Sequence, residues 1–127
     1  MEKLSLALHS AAKAMATLDE AIQLPFSVIV RDAAIQRFEY TFEALWKALK
    51  VYLQEREGVL CASPKGCFRQ AFQSGLLTLE EVERCLVMTD DRNLTSHTYI
   101  EEIAEALYRK LPDYVQVMHV LLKNLQG

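Results

Sequence analysis

Residues 28–54, VIVRDAAIQRFEYTFEALWKALKVYLQ, decide the fold. Ile35, Phe38, Phe42, Leu45, Leu49 and Leu53 recur in steps of three and four. That is the period of one face of an α-helix, so a single long helix is expected from about Val28 to Gln54. Carried back by four, the stripe reaches Arg31, a charge on the apolar side near the helix start. Two accounts of it stand. Its stem packs while its head reaches water, or it helps line a polar site where this helix end meets another element. Trp46 borders the stripe and reads as core or interface. Arg37, Lys47 and Lys50 alternate with Glu39 and Glu43, the pattern of a charged outer face.

The same period continues on both sides. Leu4, Leu8, Ala11, Met15, Leu18 and Ile22 predict a helix over 3–23. Pro25 ends it, because the residue before a proline is pushed out of helical geometry. Downstream, Glu57-Gly58 closes the long helix and residues 60–62 are loop. Ser63-Pro64 reads as an N-cap followed by proline at the first helical position. The short helix it opens, to about Gln73, should hold Cys67, Phe68, Ala71 and Phe72 inward. Lys65 and Arg69, four apart, make a small basic patch on it. Thr78-x-x-Glu81 is a capping box, in which each side chain satisfies a backbone donor; Val82, Cys85, Leu86 and Met88 then face inward to about Thr89. Thr98-x-x-Glu101 offers a second such box. The last helix carries Ile100, Ile103, Leu107, Leu111, Tyr114, Met118 and Leu121, a register that passes through Pro112, where a kink is expected. No strand-like alternation or internal repeat occurs. The expected fold is all-α: an antiparallel up-down bundle of about five helices, three long and two short, as a single domain over 1–127.

Composition agrees and narrows the function classes. An apolar fraction of 51%, with four Gly and three Pro in 127 residues, suits a packed helical chain. Fourteen basic residues against seventeen acidic give a net charge of −3, so any nucleic-acid contact would rest on a local patch. No apolar run approaches the roughly 20 residues of a membrane span. Met1-Glu2-Lys3-Leu4 lacks the apolar core of a signal peptide, and a cytoplasmic location is expected. Cys61, Cys67 and Cys85 are odd in number, without a close CxxC pair, and are expected as free thiols. His9, His97 and His119 show no spacing that would complete a metal site with them, so no metal is expected.

The polar residues concentrate at Asp90-Asp91-Arg92-Asn93-Leu94-Thr95-Ser96-His97-Thr98-Tyr99, between two helical stretches. Arg92 precedes His97 by five, with Asn93 directly after the arginine and Tyr99 two beyond the histidine. This Arg-x4-His-x-Tyr spacing resembles the motif of HEPN-domain proteins, specifically the small ones partnered by a minimal nucleotidyltransferase. Arg37-Phe38-x-x-x-Phe42-Glu43-x-x-Trp46-Lys47, Ser63-Pro64, Ala71-Phe72-x-x-Gly75 and the helix lengths are similar to the same branch, across essentially the whole chain. The resemblance implies a helical bundle and a toxin of a toxin–antitoxin pair, acting as a metal-independent ribonuclease without cofactor. It further implies a homodimer that brings two motifs to one cleft. Its antitoxin would be a nucleotidyltransferase that transfers AMP from ATP to the motif tyrosine, here Tyr99.

The residues themselves fit such chemistry. RNA carries its own nucleophile, the 2′-hydroxyl beside each phosphodiester. Histidine titrates near neutral pH, which suits His97 to general acid–base work. Arg92 offers a planar set of donors for phosphate oxygens. Asn93 could orient the site, and Asp90 or Asp91 could hold Arg92 or His97 in position. Arg31, Lys65 and Arg69 are candidates for RNA or phosphate contact. His97 should lie at or just before the start of the last helix, where unpaired backbone donors favour an anion. The alternative from a different class is a non-catalytic substrate- or nucleotide-binding subunit of a two-component nucleotidyltransferase. Apart from both functional readings, Arg92 could simply pair with Asp90 or Asp91, and His97 could simply cap the helix.

Overall fold

The computed structural model describes residues 2–127 and contains five α-helices. They are α1 (Glu2–Gln23), α2 (Val28–Tyr52), α3 (Pro64–Gln73), α4 (Leu79–Asn93) and α5 (Glu101–Gln126). A π turn, Leu53–Glu57, extends α2, and a 3-10 turn, Thr95–His97, stands between α4 and α5. Among the described residues there is no strand.

The α2 stripe is the centre of the core: Ile35, Phe38, Phe42, Leu45, Leu49 and Leu53 are all buried. Phe38 stacks on Tyr114 of α5, and Phe42 meets Phe68 of α3 edge-on. Across the α1–α2 hairpin, the Thr41 hydroxyl donates to the Ala14 carbonyl, and Arg37 Nη1 reaches the Thr17 carbonyl and Glu20. The two helices are therefore antiparallel. By contrast, Arg31 meets Glu101 and Phe38 meets Tyr114, so α2 and α5 run in the same direction. The α3–α4 pair makes this possible, since it returns the chain from the far end of α2 to the near one.

The ends of the elements follow from local chemistry. Ser27 and Ser63 cap α2 and α3 with their hydroxyl oxygens, and Thr78 with Glu81 forms the expected capping box. Gly58, at φ 68°, ends the π turn in left-handed geometry, which glycine adopts without steric cost. α5 continues through Pro112 as one helix. The second capping box does not form: α5 starts at Glu101 with Ile100 at the cap, and the Thr98 hydroxyl donates to the Thr95 carbonyl instead. The 3-10 turn has already used Thr98 before α5 begins. Phe72 is not fully inward either; it is exposed on the outer edge of α3.

The cysteines correct a second expectation. Cys61 and Cys67 are joined in a disulfide, with Cα atoms 5.3 Å apart, and only Cys85 is free. The loop after α2 brings Cys61 back against the first turn of α3, within the span a disulfide bridges. Cys85 is buried on α4, and burial pushes its thiol up to about 12. Among the described residues, no helix is long and apolar enough to cross a membrane.

Candidate functional site

The junction between the end of α4 and the start of α5 is tied to α2 at three points. Arg92 reaches Glu43, Thr95 reaches Glu39, and Glu101 reaches Arg31, so the junction runs back along α2 towards its N-terminus. The sequence-predicted residues consequently separate into those that gather here and those that face elsewhere.

Arg92, in the last turn of α4, turns onto α2. Its Nη2 donates to Glu43 Oε1 at 3.0 Å and its Nη1 lies 4.0 Å from Glu39 Oε2. Its Nε is buried with no hydrogen-bond partner among the described residues. Glu43 is itself oriented by the Trp46 indole, whose Nε1 donates to Oε2 at 2.9 Å. The Thr95 hydroxyl lies 2.5 Å from Glu39 Oε2 and 2.8 Å from the Arg92 carbonyl, fixing the 3-10 turn to both helices. Glu39 and Glu43, read as an outer face, thus hold the motif arginine and its turn. Their i, i+4 spacing on the flank of the apolar stripe was visible; that α4 would end opposite them was not.

His97 ends the 3-10 turn and is exposed. Its Nδ1 lies 3.4 Å from the Tyr99 hydroxyl, and the two rings meet edge-on with centroids 6.0 Å apart. Tyr99 is 79% exposed. Imidazole and phenol therefore form one solvent-facing pair on the turn itself, ahead of the helix start at Ile100 where an anion-binding terminus was expected. Asn93, the last residue of α4, is exposed.

The two aspartates do not hold Arg92 or His97. Asp90 pairs outward with Lys65 of α3 at 2.6 Å. Asp91 turns into the bundle, where its Oδ2 accepts from the Tyr114 hydroxyl and from Lys110 Nζ at 3.1 Å. Successive helical residues point some 100° apart, so the two carboxylates leave α4 in different directions. Burial and the bond to Asp91 raise the Tyr114 phenol well above its ordinary value.

Arg31 follows neither sequence account in full. It is 3% exposed, so its head does not reach water; it is clamped by Glu101 at 2.5 Å and Asp32 at 3.0 Å. The bond to Arg31 holds the Glu101 carboxyl below its usual range. The pair ties the start of α5 to the start of α2, and Arg31 lines a cavity of about 240 Å³ with Phe26, Tyr108 and Arg109. Arg69 is exposed on α3, one turn beyond Lys65. A second cavity, of about 200 Å³, adjoins the motif and is lined by Asp32, Ile35, Gln36, Glu39, Thr95 and Thr98. Among the described residues, no three His, Cys, Asp or Glu side chains gather to hold a metal ion.

Fold and site together define a class: a helical bundle that displays an Arg-x4-His-x-Tyr cluster at its α4–α5 turn, braced by carboxylates of α2. The family model described as "Nucleotidyltransferase substrate binding protein like" matches residues 6–127, and the chain belongs to that family. It is 32% identical over 97 residues to "Probable ribonuclease HepT" of Haemophilus influenzae, a match covering 73% of this chain and 65% of that relative's length. A crystal structure of a Thermus thermophilus protein superimposes with a TM-score of 0.89 at 55% identity, over 92% of this chain and 99% of the other. A Haemophilus influenzae structure, described as revealing the fold of a substrate binding domain of a nucleotidyltransferase, shares the fold alone. Its TM-score is 0.69 at 24% identity, over 99% of this chain and 98% of that one.

Proposed function

We propose that this chain is the toxin of a toxin–antitoxin pair, a ribonuclease that uses the RNA's own 2′-hydroxyl and requires no metal, and that a partner nucleotidyltransferase silences it by adenylylating Tyr99. Arg92 and His97 are the catalytic pair. In the reaction the 2′-oxygen attacks phosphorus and the bond to the 5′-oxygen breaks. A base takes the 2′ proton, and an acid returns one to the departing 5′-oxygen. His97 serves in one of these roles. Arg92 stabilises the charge that builds on the phosphoryl oxygens. Two proton transfers call for two imidazoles, which a homodimer with facing motifs supplies. The action on RNA draws support from the relative whose name records a ribonuclease.

The observation that carries this reading is the exposed His97–Tyr99 pair, with the phenol 3.4 Å from the imidazole. An AMP group on that hydroxyl places bulk and negative charge over the histidine, which keeps an RNA phosphate away. A second reading has its own observation. Within one chain Arg92 is already matched by Glu43 and Glu39. That suits a binding subunit that presents a substrate to a nucleotidyltransferase and performs no catalysis itself. Incubation with the partner enzyme and ATP, followed by intact and peptide mass measurement, separates them. A gain of AMP units on Tyr99 is expected; an unmodified chain that binds nucleotide would favour the second reading.

A further inference from the structure

The 200 Å³ cavity beside the motif has no part in the chemistry above. Its floor is one face of α2, formed by Asp32, Ile35, Gln36 and Glu39, and its rim is the turn that carries Thr95 and Thr98. Thr95 and Thr98 flank His97 in sequence, so the rim of the cavity and the His97–Tyr99 pair belong to the same turn. Its polar groups are mostly acceptors. Asp32 Oδ1 takes Arg31 Nε and Glu39 Oε2 takes the Thr95 hydroxyl, which leaves Asp32 Oδ2 and Glu39 Oε1 without a donor among the described residues. The Gln36 amide is also exposed and unengaged among them. Both carboxylates also have a guanidinium beside them, Arg31 at 3.0 Å from Asp32 and Arg92 at 4.0 Å from Glu39, and the remaining bonds of those two groups go to Glu101 and Glu43. The two free carboxylate oxygens therefore favour a visitor that brings hydrogen-bond donors. The volume falls below the roughly 300–1,000 Å³ that houses a drug-sized ligand, so one planar ring system fits better than a whole nucleotide.

We propose that this cavity receives a single nucleobase of the RNA strand presented to His97, and that it selects bases carrying an exocyclic amino group over uracil. The inference rests on the ribonuclease reading and names the base its substrate presents. Proteins read single-stranded RNA by splaying bases out and bonding their Watson–Crick edges. Adenine, cytosine and guanine each offer an amino group there, which a carboxylate accepts as it does from cytosine in DNA. Uracil offers one N–H between two carbonyl oxygens, and those oxygens would face Asp32 and Glu39.

Amide NMR spectra of the full chain, titrated separately with adenosine, cytidine, guanosine and uridine, test the proposal without relying on cleavage. The expected result is concentration-dependent shifts at Gln36, Thr95 and Thr98 with the three amino-bearing nucleosides, and about tenfold or weaker response to uridine, the scale of one well-made base contact. In Asp32→Asn and Gln36→Ala the preference should narrow. Shifts that are absent, that map away from this cavity, that are equal for uridine, or that keep their preference in both variants overturn it. Sequencing of cut ends from a random RNA pool adds an independent readout, in which uridine should be depleted at one fixed position from the cut. A pool that is cut without base bias counts against the cavity and not against the nuclease. Selective nucleoside binding by a chain that cuts nothing would count against the nuclease and not against the cavity.

Discussion

At the scale of single residues, the site is a division of labour among groups that sequence placed together and packing pulled apart. Asp90, Asp91 and Arg92 are consecutive, yet they end on Lys65, Tyr114 and Glu43. The motif arginine was legible; its carboxylate partners, 49 residues away in sequence for Glu43, were not, because only the return of α4 along α2 brings them together. Tyr99 is the residue whose proposed role is easiest to isolate by substitution. It is exposed, and its ring meets that of His97, so Tyr99→Phe should fold normally and retain RNA cleavage within a few-fold. With the partner and ATP present, that variant should stay active while the unaltered chain is silenced. Equal silencing of both would show that Tyr99 is not the point of control.

At the scale of elements, the Arg31–Glu101 pair fixes the start of α5, and with it the turn that holds His97. Glu101 has a folded-state pKa below its unfolded one. Its contribution to stability is therefore full above the ordinary carboxylate range and fades as pH falls through the depressed value. Urea midpoints measured from neutral to strongly acid pH should drop less steeply for Glu101→Gln than for the unaltered chain, the difference being confined to that acid window. Identical slopes would mean the pair adds nothing to folding. The Cys61–Cys67 bridge closes a short loop, six residues apart in sequence, for which chain entropy suggests about 2 kcal/mol. Reduction, or Cys61→Ser, should lower the urea midpoint accordingly; an unchanged midpoint would remove the bridge from the stability account. The helices were readable because apolar stripes recur with helical period over several turns. The 3-10 turn at Thr95–His97 was not, because Thr98-x-x-Glu101 looks like a cap, and only the pull of Glu39 and the Arg92 carbonyl on Thr95 shows why the chain winds one turn earlier.

At the scale of the whole molecule, the end of the bundle that carries the motif also presents a group of exposed apolar side chains. Ile29 is 82% exposed, and Phe26, Val28 and Ile100 lie around the Arg31–Glu101 pair. Exposed apolar groups gathered in this way suit a contact surface, as the proposed homodimer would need. The most direct measurement is cleavage of a single-stranded RNA by the purified chain in excess EDTA, compared with Arg92→Ala and His97→Ala variants of unchanged helicity. The account predicts cleavage that leaves 2′,3′-cyclic phosphate ends and falls by about 10²-fold or more in each variant. Cleavage undiminished in both variants, or none by the unaltered chain, would contradict it.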